Sequence, residues 1–285
     1  MHHMDDKAIR QQNQRSWDAV VPAHVSHHHD VPGFLRSGGS SLFVEELALL
    51  GDIHGQRLVH LMCNAGLDTL SLANHGADVT GVDISHNAIA QARQWASESG
   101  ISATFIQSDV YDWLATTPMQ FDRVYCSYGA ICWLNDLAEW AHGVARVLAP
   151  NGRFVLVEFH PTSNMFTRDW QLNRDYPQSG RQLTLHGIDD YVADSGGGLT
   201  PSGYSEGVSG FVNTEPCHLF QWGVGEVVTA LAQAGLCIER LEEYCFSNGE
   251  RPFNDMIEAA GRRMVAPAHI AKFPLLYGIA ARKKG

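Results

Sequence analysis

Between Arg57 and Phe159 short apolar runs alternate with longer amphipathic stretches, and few folds accept that pattern. Strand-length runs separated by helix-length segments make βαβ units, which assemble into a parallel sheet covered by helices. Leu58 to Met62 reads as the first strand, Asp78 to Asp83 as the second, Ala103 to Gln107 as the third, Phe121 to Ser127 as the fourth and Arg153 to Phe159 as the fifth. Helices fall between them: one through Thr69, Leu70, Leu72 and Ala73, one over Ile89 to Ser97 ending near Gly100, and one over Leu137 to Leu148 stopped by Pro150, Asn151 and Gly152. A further helix, Val224 to Ala234, is closed by Gly235, and strands at Leu236 to Cys245 and Leu275 to Arg282 follow. The linker between these last two strands reads as too short for a crossover helix, which predicts a hairpin pairing. The fold class is therefore α/β, with a seven-stranded, mostly parallel sheet and helices on both faces.

Two segments escape the alternation. Residues 1–50 combine a polar helix-like start, a histidine-rich run from His24 to His29 and a Gly-Ser turn at Ser37 to Ser41, and they are expected to form a helical lid on a domain spanning 51–285. Residues 161–222 are rich in Gly, Ser, Thr, Asn and aromatics; so long an irregular stretch in a compact domain predicts a functional insertion, here one that sets substrate specificity.

A net charge of −11 disfavours nucleic acid and anionic membrane as partners. No apolar run approaches the roughly 20 residues of a membrane span, and the start Met1 to Asp6 lacks the apolar centre of a signal peptide, so a cytoplasmic location is expected. The six cysteines are scattered without a CxxC pair and read as reduced and structural. His24, His27, His28 and His29 are too nearly consecutive to converge on one ion and no HExxH motif accompanies them, so no metal is expected. The pattern fixes no oligomeric state.

A strand, a tight turn and a helix, followed by a second strand ending in an acid about 20 residues on, bind adenosine-containing cofactors: the backbone approaches the ligand and the acid accepts from ribose hydroxyls. The turn is His60-Leu61-Met62-Cys63-Asn64-Ala65-Gly66 and the acid Asp83; Gly66 is kept, while Met62 and Asn64 stand where glycines are expected. Ile106-Gln107-Ser108-Asp109-Val110 then supplies an acid just after the third strand, followed by Phe121-Asp122-Arg123-Val124 and Leu148-Ala149-Pro150-Asn151-Gly152.

In that order these landmarks resemble the class I S-adenosylmethionine-dependent methyltransferases, over about Arg57 to Pro161 with a weaker continuation to the C-terminus. His60 to Ala73, together with Ser127 to Asp136 and Glu158-Phe159-His160-Pro161, is similar to a bacterial subgroup whose loop reads HLQC-x-x-G-x-DTLSLA. The resemblance implies a Rossmann-like sheet and S-adenosyl-L-methionine as cofactor. It implies that Gly66 and the backbone of Cys63, Asn64 and Ala65 line the methionine portion, that Asp83 with its neighbour Ile84 holds the ribose, that Asp109 and Val110 meet the adenine, and that Ser127 lies beneath the sulfonium. Thr69 belongs either to that set or to the start of its helix.

The sulfonium already activates its methyl group, so the protein's task is to hold a nucleophile in line and exclude water. A hydroxyl or thiol acceptor gains from a base. His160 is the candidate, at the carboxyl edge of the sheet, unless it merely ties a strand end to nearby loops. Tyr128 and Trp133 form either an aromatic pocket wall or core packing, and His28 and Trp222 are further candidate contacts to a small-molecule acceptor. Two other readings compete. A nicotinamide-dependent oxidoreductase would need a fuller G-x-G-x-x-G turn; a non-catalytic S-adenosylmethionine-binding module draws on the altered loop.

Overall fold

The computed structural model describes residues 5–284. Helix α1 (Asp6–Ser26) opens the chain, capped by the Asp5 carboxylate on the Ala8 N–H, and α2 (Val31–Arg36) and α3 (Val44–Leu50) follow. The alternating region gives β1 (Arg57–Leu61), α4 (Leu67–Asn74), β2 (Asp78–Asp83), α5 (His86–Ser99), β3 (Thr104–Gln107), α6 (Val110–Thr116), β4 (Phe121–Cys126), α7 (Leu137–Val147) and β5 (Leu148–Phe159). Beyond it lie β6 (Arg181–Leu185), α8 (Tyr191–Ser195), β7 (Cys217–Gln221), α9 (Val224–Gln233), β8 (Leu236–Tyr244), β9 (Phe246–Asn248), β10 (Ile257–Ala259), β11 (Arg263–Val265) and β12 (Leu276–Lys283).

The central sheet runs β3-β2-β1-β4-β5-β12-β8, parallel except for β12, which is antiparallel to both neighbours. This is the Rossmann-like α/β sheet expected. Strand order reverses between β1 and β4, and at such a switch point the loops leaving the carboxyl ends part to form a crevice. Helix α7 shows why the sheet is covered: Leu137, Trp140, Ala141, Val144 and Val147 recur at helical spacing and are all buried, packing with Phe154 and Leu156 of β5 and Val227 and Leu231 of α9. On the opposite face Leu49 and Leu50 of α3 and Leu72 of α4 close over Tyr125, Val155 and Val157.

Three expectations are revised. The 1–50 segment divides: α1 packs against α5 and β7, whereas α3 belongs to the layer under β5 and β12. Residues 1–4 of that segment, with most of the chain start read for a signal peptide, and Gly285 lie outside the described residues. The 161–222 insertion is more regular than its composition suggests, because β6 and β7 pair antiparallel from Arg181↔Gln221 to Leu185↔Cys217. Finally β8 and β12 do pair antiparallel, but their connection is no tight hairpin; it folds as a separate sheet, β10-β11-β9. Left-handed backbone at Gly249 (φ 73°), Gly261 (φ 77°) and Arg262 (φ 60°) reverses the chain around it. All six cysteines are free, and among the described residues no helix is long and apolar enough to cross a membrane.

Candidate active site

At the switch point a cavity of about 580 Å³ opens between the loops after β1, β2, β3 and β4, within the range of about 300–1,000 Å³ usual for small-ligand sites. Its floor begins with the turn after β1. Met62 (φ 55°) and Asn64 (φ 49°) both adopt the left-handed conformation, as does Gly66 (φ 78°). The backbone thus follows the path a glycine-rich loop would take, although two of the three residues are not glycine. Asn64 tolerates this because its side-chain oxygen takes the Ala65 N–H at 2.7 Å; Met62 has no such device, and non-glycine residues held in this region concentrate at functional sites. At Gly66 the need is packing: a Cβ there would stand 2.7 Å from the Phe105 ring and 2.8 Å from Ala92.

Asp83, at the end of β2, fixes the turn. One carboxylate oxygen accepts the Asn64 N–H and the other the Ser85 N–H, each at 2.8 Å. Burial pushes its carboxyl up to about 6, against those N–H groups, which favour the ionised form. Asp109 caps α6 through the Tyr111 and Asp112 N–H groups and pairs with Arg10 of α1 at 2.8 Å. Burial raises its carboxyl while Arg10 lowers it.

Beneath the loop after β4 lies His60 of β1. Its Nδ1 meets Thr69 Oγ1 and its Nε2 meets Ser127 Oγ, both at 2.9 Å, and burial lowers the imidazole to about 3, so the ring is neutral. His60 therefore ties the start of α4 to Ser127. Thr69 is fully buried and outside the cavity lining, a structural member of this chain of bonds.

Cys63, Asn64, Ala65, Gly66, Asp83, Ile84, Asp109, Val110 and Ser127 all border the cavity, as do Tyr128, Trp133 and His28. Trp133 meets Trp17 of α1 edge-on at 5.3 Å, so the aromatic wall is built from both sides. Tyr128 accepts from Asn248 Nδ2 at 2.9 Å. Two of the histidines meet the same carboxylate, His27 Nε2 at 2.9 Å and His24 Nε2 at 3.8 Å from Asp190, with His24 also bonded to the Asp189 carbonyl at 3.0 Å, while His28 lies apart against Trp95. Burial lowers His24 and His28 to about 4.

Two candidates are corrected. His160 is not at the cavity: its main-chain N–H joins the Leu275 carbonyl on the β12 side, its Nε2 bonds Glu243 and its Nδ1 accepts from the Thr162 N–H. With both ring nitrogens engaged it holds a strand end. Trp222 lies in a separate cleft, donating its indole N–H to the Leu134 carbonyl at 2.7 Å and stacked on Gly180, where a Cβ would meet the ring at 2.3 Å.

The roof comes from residues the sequence did not single out. Asn13 of α1 bonds the His218 N–H and carbonyl of β7 at 2.7 and 2.9 Å. Asp18 takes the Ser85 hydroxyl at 2.6 Å and the Asn87 N–H at 3.1 Å. Glu46, Asn248, Glu250 and Arg262 reach the cavity from α3 and the β8–β12 connection.

Residues 59–152 match the family model described as a methyltransferase domain. The ubiquinone biosynthesis O-methyltransferase of Klebsiella pneumoniae is 31% identical over 120 residues, 42% of this chain and 48% of that protein; the chain thus spans about half the length of the curated relatives it matches. An S-adenosylmethionine-dependent methyltransferase structure from Mesorhizobium loti covers 86% of this chain and 99% of its own at 25% identity, with a TM-score of 0.55. Over this core the chain is similar to the class I S-adenosylmethionine-dependent methyltransferases. A glycopeptide N-methyltransferase solved with sinefungin shares the fold at 18% identity over 85% of each chain, TM-score 0.52. S-adenosyl-L-methionine is the cofactor of the family, and the donor set fits it: an ionisable carboxylate at the end of β2, left-handed backbone after β1, and a largely apolar cavity between them.

Proposed function

We propose that the protein transfers the methyl group of S-adenosylmethionine to a small-molecule acceptor. The observation that carries this reading is the left-handed turn Met62 to Gly66, locked to Asp83 on the wall of one large cavity. Bound there, the cofactor supplies a methyl group already activated by its sulfonium. Asp83 accepts the ribose hydroxyls, with Ile84 beside it. The backbone of Cys63 to Gly66 lines the methionine portion, and Asp109 with Val110 forms the adenine end, over which Arg10 clamps α1. Ser127, positioned by His60, underlies the sulfonium.

Tyr128, Trp133 and His28 face the acceptor. Residues up to about 42 act as the lid, and 161–222 together with the β8–β12 connection set acceptor specificity. A roof of this kind excludes water and polymers, favouring a small acceptor over nucleic acid. The related enzymes are named for O- and N-methylation, but the matched curated stretch is the core, and acceptor chemistry resides in the roof. With no helix among the described residues long and apolar enough to cross a membrane, the protein is read as cytoplasmic.

Calorimetry with S-adenosylmethionine, S-adenosylhomocysteine and NADH, followed by mass detection of methyl transfer to phenols, amines and thiols, tests the proposal. Binding of the first two at micromolar concentration and transfer to one acceptor class are expected. Preference for NADH would overturn the cofactor assignment; binding without transfer across the panel would favour a non-catalytic module.

A further inference from the structure

The half-buried and buried carboxylates around the cavity are Glu46, Asp68, Asp83, Asp109 and Glu250. The first four are accounted for: Glu46 accepts from the Tyr125 hydroxyl, Asp68 from Ser41, Asp83 from two backbone N–H groups, and Asp109 pairs with Arg10. Glu250 accepts no hydrogen bond from any described residue. The side chain is half-buried and borders the cavity, so a cationic ligand bound there can supply the hydrogen-bond and charge partner that the surrounding side chains do not.

Its position is set by a close backbone approach. Gly249 and Gly198 press together so tightly that a Cβ on Gly198 would stand 2.2 Å from the Gly249 carbonyl and one on Gly249 would stand 2.6 Å from the Gly198 carbonyl. The Gly249 N–H joins the Arg262 carbonyl at 3.0 Å, and the Arg251 N–H reaches Ser195 Oγ at 3.4 Å. Two distant segments thus fix one side chain. On one side of it Asn248 Nδ2 donates to Tyr128 Oη at 2.9 Å in the loop after β4; on the other, Ser195 belongs to α8, whose Tyr191 oxygen lies 3.5 Å from Asn64 Nδ2 in the turn after β1. Glu250 thus borders the cavity from a segment tied to both of those loops, the stretch assigned above to the methionine portion and sulfonium.

Resting on the methyltransferase reading, we infer that Glu250 is the anionic counter-group to the sulfonium and selects the charged cofactor over its neutral demethylated product. Methyl transfer removes the positive charge from sulfur, so the attraction that holds the cofactor is switched off in the product and helps release it. The surroundings leave that role to Glu250: Glu158, also acidic, is consumed by the N–H groups of Gly129, Ala130 and Ile131, and Arg168, the cation acting on Glu250, is paired with Asp194 at 2.9 Å near the surface. Burial, reinforced by Glu158 and opposed by Arg168, pushes the Glu250 carboxyl up to about 7.

The test is calorimetric binding of S-adenosylmethionine, sinefungin, whose amine also carries a positive charge, and S-adenosylhomocysteine to the full chain and to Glu250→Gln. The expected result is a loss of about tenfold in affinity for the two cationic ligands with S-adenosylhomocysteine changed by less than about twofold. Equal loss for all three ligands, or no loss, overturns the proposal. The pH dependence gives a second readout. The preference of the wild-type protein for S-adenosylmethionine over S-adenosylhomocysteine should grow from pH 6 to pH 8 as Glu250 ionises, and the growth should be clearly smaller in Glu250→Gln, where Glu46 and Asp83 still titrate. A flat ratio counts against Glu250. Failure of the methyltransferase reading itself looks different, since neither ligand then binds the wild-type protein.

Discussion

Asp83 and His160 carry opposite expectations although each sits at the end of a strand. Asp83 supports two backbone N–H groups of the cofactor loop and borders the cavity, so Asp83→Ala should weaken S-adenosylmethionine binding by tenfold to a hundredfold or more, the worth of about 1.5–3 kcal/mol for hydrogen bonds to a charged group. Calorimetry measures this directly, and an affinity unchanged from wild type would remove Asp83 from the site. His160 bonds Glu243 and the Thr162 N–H away from the cavity. His160→Ala should therefore lower stability by about 1 kcal/mol while leaving cofactor affinity and the pH dependence of transfer as they were; a lost acidic limb in the pH–rate profile would restore it as a base. The motif around His160 carries no sign of this difference. Strand β5 is flanked by β12 on one side and β4 on the other, and the bond from His160 to Leu275, remote in sequence, turns the residue away from the switch point.

At the scale of elements, α1 is held over the cavity by apolar packing of Val20 and Trp17 against Ile188, Cys217 and Trp133 and by a small set of side-chain bonds. Asn13 is central because one amide satisfies both the N–H and the carbonyl of His218, completing β7 where another strand would have paired. Asn13→Ala leaves both groups buried without partners, a cost of about 1–3 kcal/mol each. Faster hydrogen exchange over Cys217–Gln221 and faster S-adenosylhomocysteine dissociation should follow, with little change in the exchange of β1 and β4. Unaltered exchange in β7 would mean that α1 is held by other contacts. The floor of the site was legible in the sequence because each part is local: a turn, the acid ending the next strand, an acid after the third. The strands themselves were legible from their period. The roof was not, since Asn13, Glu46, Asn248, Glu250 and Arg262 belong to segments up to 249 residues apart whose meeting no local pattern encodes, and the β6–β7 pair hides in a run of polar and aromatic residues without period-two alternation.

Taken as a whole, the molecule buries titratable groups whose protonation in the folded state runs against their habits in water, and stability must respond to pH. Glu46, fully buried, takes the Phe43 N–H that starts α3 and the Tyr125 hydroxyl from β4, and burial with the nearby Asp68 pushes its carboxyl from 4.5 up to about 8. The folded chain keeps this proton where the unfolded chain has lost it, so the contribution is full below about pH 4.5 and is lost as pH rises towards 8. His60, lowered to about 3, and His24 and His28, lowered to about 4, work the other way: neutral when folded but protonated when unfolded below their ordinary 6.5, they support the fold above that value and oppose it as pH falls towards 4. The two trends compete between pH 4.5 and 6.5, and above 6.5 the histidines contribute no slope. There the carboxyls alone act, Glu46 with Glu250. Denaturant unfolding of the ligand-free protein should accordingly show stability falling from pH 6.5 to 8 by about 1 kcal/mol or more per pH unit. Glu46→Gln keeps the acceptor for the Phe43 N–H but cannot ionise, so its slope over the same interval should be clearly shallower than that of the wild type. Parallel slopes in the two proteins would mean that Glu46 is already ionised in the folded state, and that the link between α3 and Tyr125 is an ion held by its donors.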